Sequence, residues 1–286
     1  MTDTVLLTPV WRGDFDRLVL QRESAEACGV ELDHVVVVNG EDLPDLAAIL
    51  PTDRVTLLPT GDVVPGYVER LRAGRRFTDR VRRRLAGPIA GWRLQQHVKL
   101  AATMALGVKR VVCLDADVAF VSRVSESDFV APDGRSLLFS SVGAEAETAS
   151  WVLNSMRALE LDLSRREIRQ FVHHPSVLDA AVVNGVCARL EDLHGKRWPD
   201  AFDALGLTEY ATHGVYAREV VPDLVVDAEP LAATSFWGAD DVVAFPGSLG
   251  DRVERAGAKV VGVQSNLGIA PDAYRDALRA LWAASR

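Results

Sequence analysis

The chain has 286 residues, 48% hydrophobic and 25% charged, with a formal net charge of -8, an ordinary composition for a globular enzyme with ample apolar material for a core. No run approaches the roughly 18 apolar residues of a membrane span, and the N-terminus has neither the basic region nor the long apolar stretch of a signal peptide. Three widely spaced cysteines, Cys28, Cys113 and Cys187, exclude a disulfide framework and a cysteine-based metal site, so a cytoplasmic location is expected.

The runs TVLLTPV (4–10), DHVVVVNG (33–40) and RVTLLPTG (54–61) are short, apolar and closed by turn residues, the pattern of buried parallel strands. Between the first two, DFDRLVLQRESAEACG predicts a helix with Leu18 and Ala25 on one face and Gly29 as its stop. Alternation of strand and helix implies a doubly wound α/β sheet, whose ligands sit beyond the carboxyl ends of the strands. Residues 62–91 read as an insertion bounded by Pro65-Gly66 and Gly87-Pro88. From Glu69 to Arg93 nine arginines face two acids, a balance of +7 that leaves -15 for the remainder. Such a segment suits a lid or acceptor-binding element that meets an anionic ligand, or a solvated basic face. The acidic remainder would repel nucleic acid.

Next, WRLQQHVKLAATMALG (92–107) predicts a helix closed by Gly107. Leu94, Val98, Ala101, Ala102 and Ala105 would pack on the sheet, while Gln95, Lys99 and Thr103 share another face. The apolar run RVVCL then leads into Asp115 and Asp117, followed by the apolar VAFV. Further on, RSLLFSSVG (135–143), DLVVDAEP, DDVVAFPG and AKVVGVQSN (258–266) predict strands. Helices are expected around 148–160, 177–194 and 271–285, all within a single domain spanning the chain. The six tryptophans are expected mostly in the core, and His173-His174 at the surface or in an acceptor cleft.

Two carboxylates one residue apart at a strand end would point the same way and converge on one hard cation, with oxygen ligands suited to Mn2+ or Mg2+. The run GWRLQQHVKLAATMALGVKRVVCLDADVAFV resembles the GT-A glycosyltransferases, with a polar-faced helix, a strand and a DxD. It is most similar to a bacterial GT-A-like group that pairs a "W..QQ..KL" helix with a "lDaDv.f" strand and a later "EY..yG" segment. The last appears here as TEYATHGVYA (208–217), with His213 where an aromatic is usual. The resemblance covers roughly residues 91–265. It implies a Rossmann-type, mostly parallel sheet flanked by helices. It also implies a metal-dependent glycosyltransferase of the hexosyltransferase type, with a nucleotide-sugar donor and an acceptor that the motifs do not identify.

Carried over by position, the resemblance makes Asp117 the principal metal ligand, with Asp115 reaching the metal through water or holding the donor ribose. Thr8 and Pro9 would grip the nucleotide, and Gln96 and Lys99 would face the donor. The lysine is chemically suited to donor phosphate. Where a third ligand is often His, this chain offers Gln264 or Asn266. Glu209 would be the general base, or else a helix-end carboxylate bonded to backbone. Two rival classes remain open, a haloacid-dehalogenase-like phosphatase and a metal-dependent nucleotidyltransferase. Against the first, Arg255 stands in GSLGDRVERAGAKVVGV (247–263) where that family's motif has an acid.

Overall fold

The computed structural model of the chain describes residues 3–51, 53–64, 87–143, 145–164, 167–238, 241 and 245–284. The first half runs β1 (Thr4–Pro9), α1 (Phe15–Ala27), β2 (Asp33–Val38), α2 (Leu43–Ile49), β3 (Val55–Pro59), the short α3 (Thr60–Val63), α4 (Gly87–Ala105), β4 (Arg110–Cys113) and β5 (Val118–Phe120). Then come β6 (Ser136–Phe139), β7 (Ser141–Val142), α5 (Ala146–Ala158), β8 (Arg169–Gln170), β9 (Ser176–Asp179), α6 (Ala180–His194), α7 (Trp198–Ala204) and α8 (Glu209–Glu219). The chain closes with β10 (Val225–Ala228), β11 (Ala233–Phe236), α9 (Leu249–Ala256), β12 (Val260–Val263) and α10 (Asp272–Ala284).

The main sheet has the order β3-β2-β1-β4-β9 and is parallel except for the antiparallel β4–β9 pair. Its strands are mostly apolar on both sides because both faces are covered. Val5, Leu7, Val35, Val37, Val111 and Cys113 enter one core with α4, α6 and α8. Leu6 and Val112 enter a second core with β5, β12 and α10, and Val36 and Val38 a third with α1 and α2. The period of two along each strand thus distributes one apolar run between opposite layers. The expectation of an α/β fold with a mostly parallel sheet holds. A smaller sheet, β11-β12-β5, is attached where β5 runs antiparallel to β12. Among the described residues no helix is long and apolar enough to cross a membrane.

Several local expectations change. The helix expected over 177–194 begins at Ala180, because Ser176–Asp179 pairs with β4 and Asp179 caps the helix by accepting from the backbone N–H of Ala181 at 2.9 Å. Strand β11 lies outside every apolar run read as a strand. Of the DDVVAFPG segment, residues 241 and 245–247 are described and form no strand; of the insertion expected over 62–91, residues 62–63 end α3, 87–91 begin α4, and 65–86 lie outside the described residues. Ala105, expected to pack on the sheet, is exposed, whereas Gln96, His97, Lys99 and Thr103 are buried, since α7 and α8 cover the polar face of α4. Trp11, Trp92 and Trp237 are exposed rather than in the core.

Helix α1 is tied to the edge of the smaller sheet by Ser24, whose hydroxyl donates to the Gln21 carbonyl at 2.6 Å and accepts from the Phe120 N–H at 2.9 Å. Ser24→Ala would leave that buried N–H unpaired. It should lower stability by about 1–3 kcal/mol in equilibrium denaturant unfolding, and an unchanged midpoint would show that water replaces the hydroxyl.

Candidate active site

At the switch point of the sheet, where β1 is flanked by β2 and β4, the chain leaves β4 and turns. The Leu114 N–H still bonds to the Leu7 carbonyl at 3.0 Å, and the Val118 N–H then bonds back to the Asp115 carbonyl at 3.1 Å. Asp115 and Asp117 therefore occupy the first and third positions of a tight turn, not alternate positions of a strand. The expected convergence by strand parity is replaced by a division. Asp115 faces the helical layer under the sheet end, and Asp117 faces the loop after β12.

Asp115 meets Lys99 of α4, with Nζ 2.9 Å from Oδ1. The same ammonium lies 3.0 Å from Glu209 Oε1 at the start of α8 and 4.7 Å from the centre of the Tyr210 ring. His174, in the loop before β9, places Nε2 3.6 Å from Asp115 Oδ2 and packs its ring edge-on to Tyr210. Burial opposes the charge on Lys99, yet Asp115, Tyr210 and Glu209 together raise its pKa well above the ordinary value. Burial likewise works against the Asp115 carboxylate, but Lys99 and then His174 outweigh it and bring the value down to about 2. His174 is driven toward its neutral form by burial, against the pull of Asp115. Asp115 retains 35% side-chain exposure, whereas Glu209 retains 5%. The acid–lysine–acid bridge thus has one open end and one closed end.

Asp117 is differently placed. Its Oδ2 accepts from the Ser265 N–H at 3.0 Å, and its carbonyl accepts from the Val263 N–H at 2.9 Å. Burial and then the neighbouring charge of Asp115 push its carboxyl up to about 6, against the Ser265 hydrogen bond. Among the described residues Asp117 forms no ion pair. Asp14 adds further negative charge nearby and has its own carboxyl raised, first by burial, despite Arg17 with Nε at 3.2 Å. Among the described residues no three His, Cys, Asp or Glu side chains converge to hold a metal. A cation here would need oxygens from a bound ligand.

The other expected site residues are placed as follows. Thr8 is fully buried, its hydroxyl bonded to Gln21 and His34, and Pro9 ends β1 beside it. Gln96 is buried on α4 one turn before Lys99. Gln264 lies between Val263 and Ser265, the two residues whose amides hold Asp117, and its own N–H bonds to the Phe236 carbonyl at 3.2 Å. Lys99, Asp115 and Glu209 come together; Thr8 and Gln96 lie in the interior around them. Sequence reasoning did not single out Trp11, Asp14 or Tyr210, and it gave His174 no place beside Asp115. Trp11 is 58% exposed just past β1, with its indole N–H bonded to Asp14. For Trp11, an aromatic residue two positions beyond the carboxyl end of β1 was the available signal.

The family of unknown function DUF6492 matches this chain over residues 30–285. No curated protein matches it. Solved structures with similarity include the galactosyltransferase LgtC in complex with donor and acceptor sugar analogues, at 9% identity and a TM-score of 0.48 over 98% of this chain and 95% of that one. Mouse xyloside xylosyltransferase 1 in its apo form gives 11% identity and a TM-score of 0.46 over 93% and 99%. Both likenesses are distant.

Removing the bridging cation tests the electrostatics directly. Lys99→Met should destabilise the protein by about 3–5 kcal/mol at neutral pH, because a buried carboxylate is left without its partner. Since the folded value of Asp115 lies below its ordinary 3.8, its contribution is present above pH 3.8 and is lost as pH falls through about 2. Urea unfolding across that range should show the loss in the parent chain and not in Lys99→Met.

Proposed function

The chain belongs to the family of unknown function DUF6492, and we propose that it is a metal-dependent glycosyltransferase that moves a sugar from a nucleoside-diphosphate-sugar donor to an acceptor. The observation that carries this reading is the inequality of the two acids in the Asp115–Val118 turn. Asp115 has its counter-ion in Lys99, whereas Asp117 forms no ion pair among the described residues and stands beside Asp115 and Asp14, whose negative charge Arg17 offsets only in part. A single divalent cation, Mn2+ or Mg2+, would complete that arrangement, held by Asp117 together with donor phosphates, the shell these ions commonly adopt. When bound there, such an ion neutralises charge that develops on the departing diphosphate. The resemblance of the 91–121 segment to GT-A enzymes supports the same reading.

Each protein group then has a distinct task. Asp117 holds the cation, and Asp115, kept ionised by Lys99, lies behind it with its open side toward the ribose or a metal-bound water. Lys99 holds the turn in place rather than touching phosphate, because its ammonium is enclosed by Asp115, Glu209 and Tyr210. Trp11 offers a flat apolar face at the rim, folded over Gly13, where a Cβ would lie 2.5 Å from the indole. Such a face suits stacking on a base or sugar. In this reading Glu209, closed off and bonded to Lys99, serves as the lysine's counter-ion rather than as the base that meets an acceptor hydroxyl.

Calorimetry with Mn2+ and a panel of nucleoside diphosphates tests the core of the proposal. One nucleotide should bind only with metal, and Asp117→Asn should abolish that binding while leaving thermal unfolding of the metal-free protein no lower than in the parent. Equal affinity in the variant would sink the metal-bridge reading. Trp11→Ala should weaken the same nucleotide roughly tenfold, within the range for loss of one stacked base. For Glu209, a loss of turnover by about two to four orders of magnitude in Glu209→Gln, with stability and donor affinity unchanged, would instead assign it the base role.

A further inference from the structure

A buried chain of polar side chains runs beneath the turn that carries the two acids. Gln21 on α1 is 1% exposed and shares the inward stripe of Leu18 and Ala25. Its Nε2 donates to the Asp115 carbonyl at 2.7 Å and to the Val118 carbonyl at 2.9 Å, the two ends of one turn. Its Oε1 accepts from the Thr8 hydroxyl at 2.9 Å. Thr8 has a single hydrogen to give, so the contact between its oxygen and His34 Nε2, also 2.9 Å, must be donated by the imidazole. Full burial holds His34 neutral, with its value pushed down to about 3. The direction of every bond from His34 to the turn is then determined. Reversing the Gln21 amide would set its oxygen against two carbonyls and its NH2 against a hydroxyl already receiving a hydrogen from His34.

We propose that Gln21 is a positioning residue, a clamp across the Asp115–Val118 turn that fixes where Asp117 stands, oriented by Thr8 and His34. Ordinary core satisfaction would need only one partner for each amide group. Here both hydrogens of a single NH2 go to carbonyls three residues apart, so the distance between the ends of the turn is set by a rigid planar group. One turn further along α1, Ser24 holds the Phe120 N–H. The helix therefore grips the turn and the strand after it. The consequence for metal binding rests on the reading of Asp117 given above; the clamp itself does not.

The test uses amide hydrogen exchange on the full chain, with Gln21→Met as a variant of similar length that lacks the amide. Three amides are compared: Val118, which closes the turn; Ser265, which bonds to Asp117; and Val186, in the interior of α6. Val118 and Ser265 should exchange at least about tenfold faster relative to Val186 than in the parent chain, as expected when local hydrogen bonds open without global unfolding. Affinity for the Mn2+–nucleoside diphosphate complex should fall about tenfold in step, as turn opening makes the binding-competent geometry a minor state. Unchanged exchange at Val118 and Ser265, or equal acceleration of all three amides, would overturn the clamp. If Gln21→Met does not fold, Thr8→Val, which removes only the orienting hydroxyl, should give the same local pattern to a smaller degree, and no local change there would overturn the proposal equally. If the parent chain binds no metal–nucleotide complex, the proposed function fails while the exchange comparison still decides the role of Gln21.

Discussion

A lysine ammonium enclosed between two carboxylates is the constraint around which the candidate-site end of this molecule is organised. Taking Lys99 out of water alone would cost several kcal/mol, and the same holds for Glu209. Neither can be buried unless the other arrives, and Asp115 must arrive with them. The three residues come from α4, from the turn after β4 and from the first residue of α8. Their mutual dependence ties a helix that precedes the acid turn to one that follows it by almost a hundred residues. It also explains why α4 can be buried on a polar face, where His97 stacks on Trp198 and bonds to Asp203 at 2.9 Å.

The two aspartates of the turn do opposite work because their neighbours differ. One belongs to the interior network and carries a depressed pKa; the other, among the described residues, has its side chain bonded by a single backbone amide and carries a raised one. A lysine-paired acid and an under-compensated acid separated by a single residue make a sharp electrostatic step. Helix α1 supports this step from below through the neutral side chains of Gln21 and Ser24, while Arg17 on the same helix offsets part of the negative charge around Asp117.

Much of the fold was legible because burial on both faces of a parallel sheet leaves uninterrupted apolar runs. Strands β1 to β4, the Leu18–Ala25 stripe of α1 and the Gly29 and Gly107 stops were all read from such patterns. The Ser176–Asp179 strand was not, since Val177 and Leu178 merge by composition with the helix that follows, and only pairing with β4 separates them. In the site, the strand-end position of Asp115 and Asp117 was evident, but their division was not. Strand parity does not survive a turn, and the direction of each acid depends on partners in α4 and in the loop after β12. Lys99 was singled out for a phosphate; its enclosure by Glu209 and Tyr210 depends on the docking of α8, which no local pattern encodes. Gln21 carried a signal of its own, a glutamine on an apolar stripe, where an unpaired amide would be costly.

The hydrogen bond from the Ser265 amide to Asp117 links residues 148 positions apart in the chain. Both acids are therefore synthesised well before the segment that anchors the second of them exists. On a ribosome that releases a few residues per second, the central sheet can assemble through β4 while Asp117 still waits for its partner. The anchor of Asp117 leaves the ribosome last, with the residues that follow β12. A nascent chain stalled before that point would display the two acids without the amide that holds the second, which separates the making of the scaffold from the completion of the site.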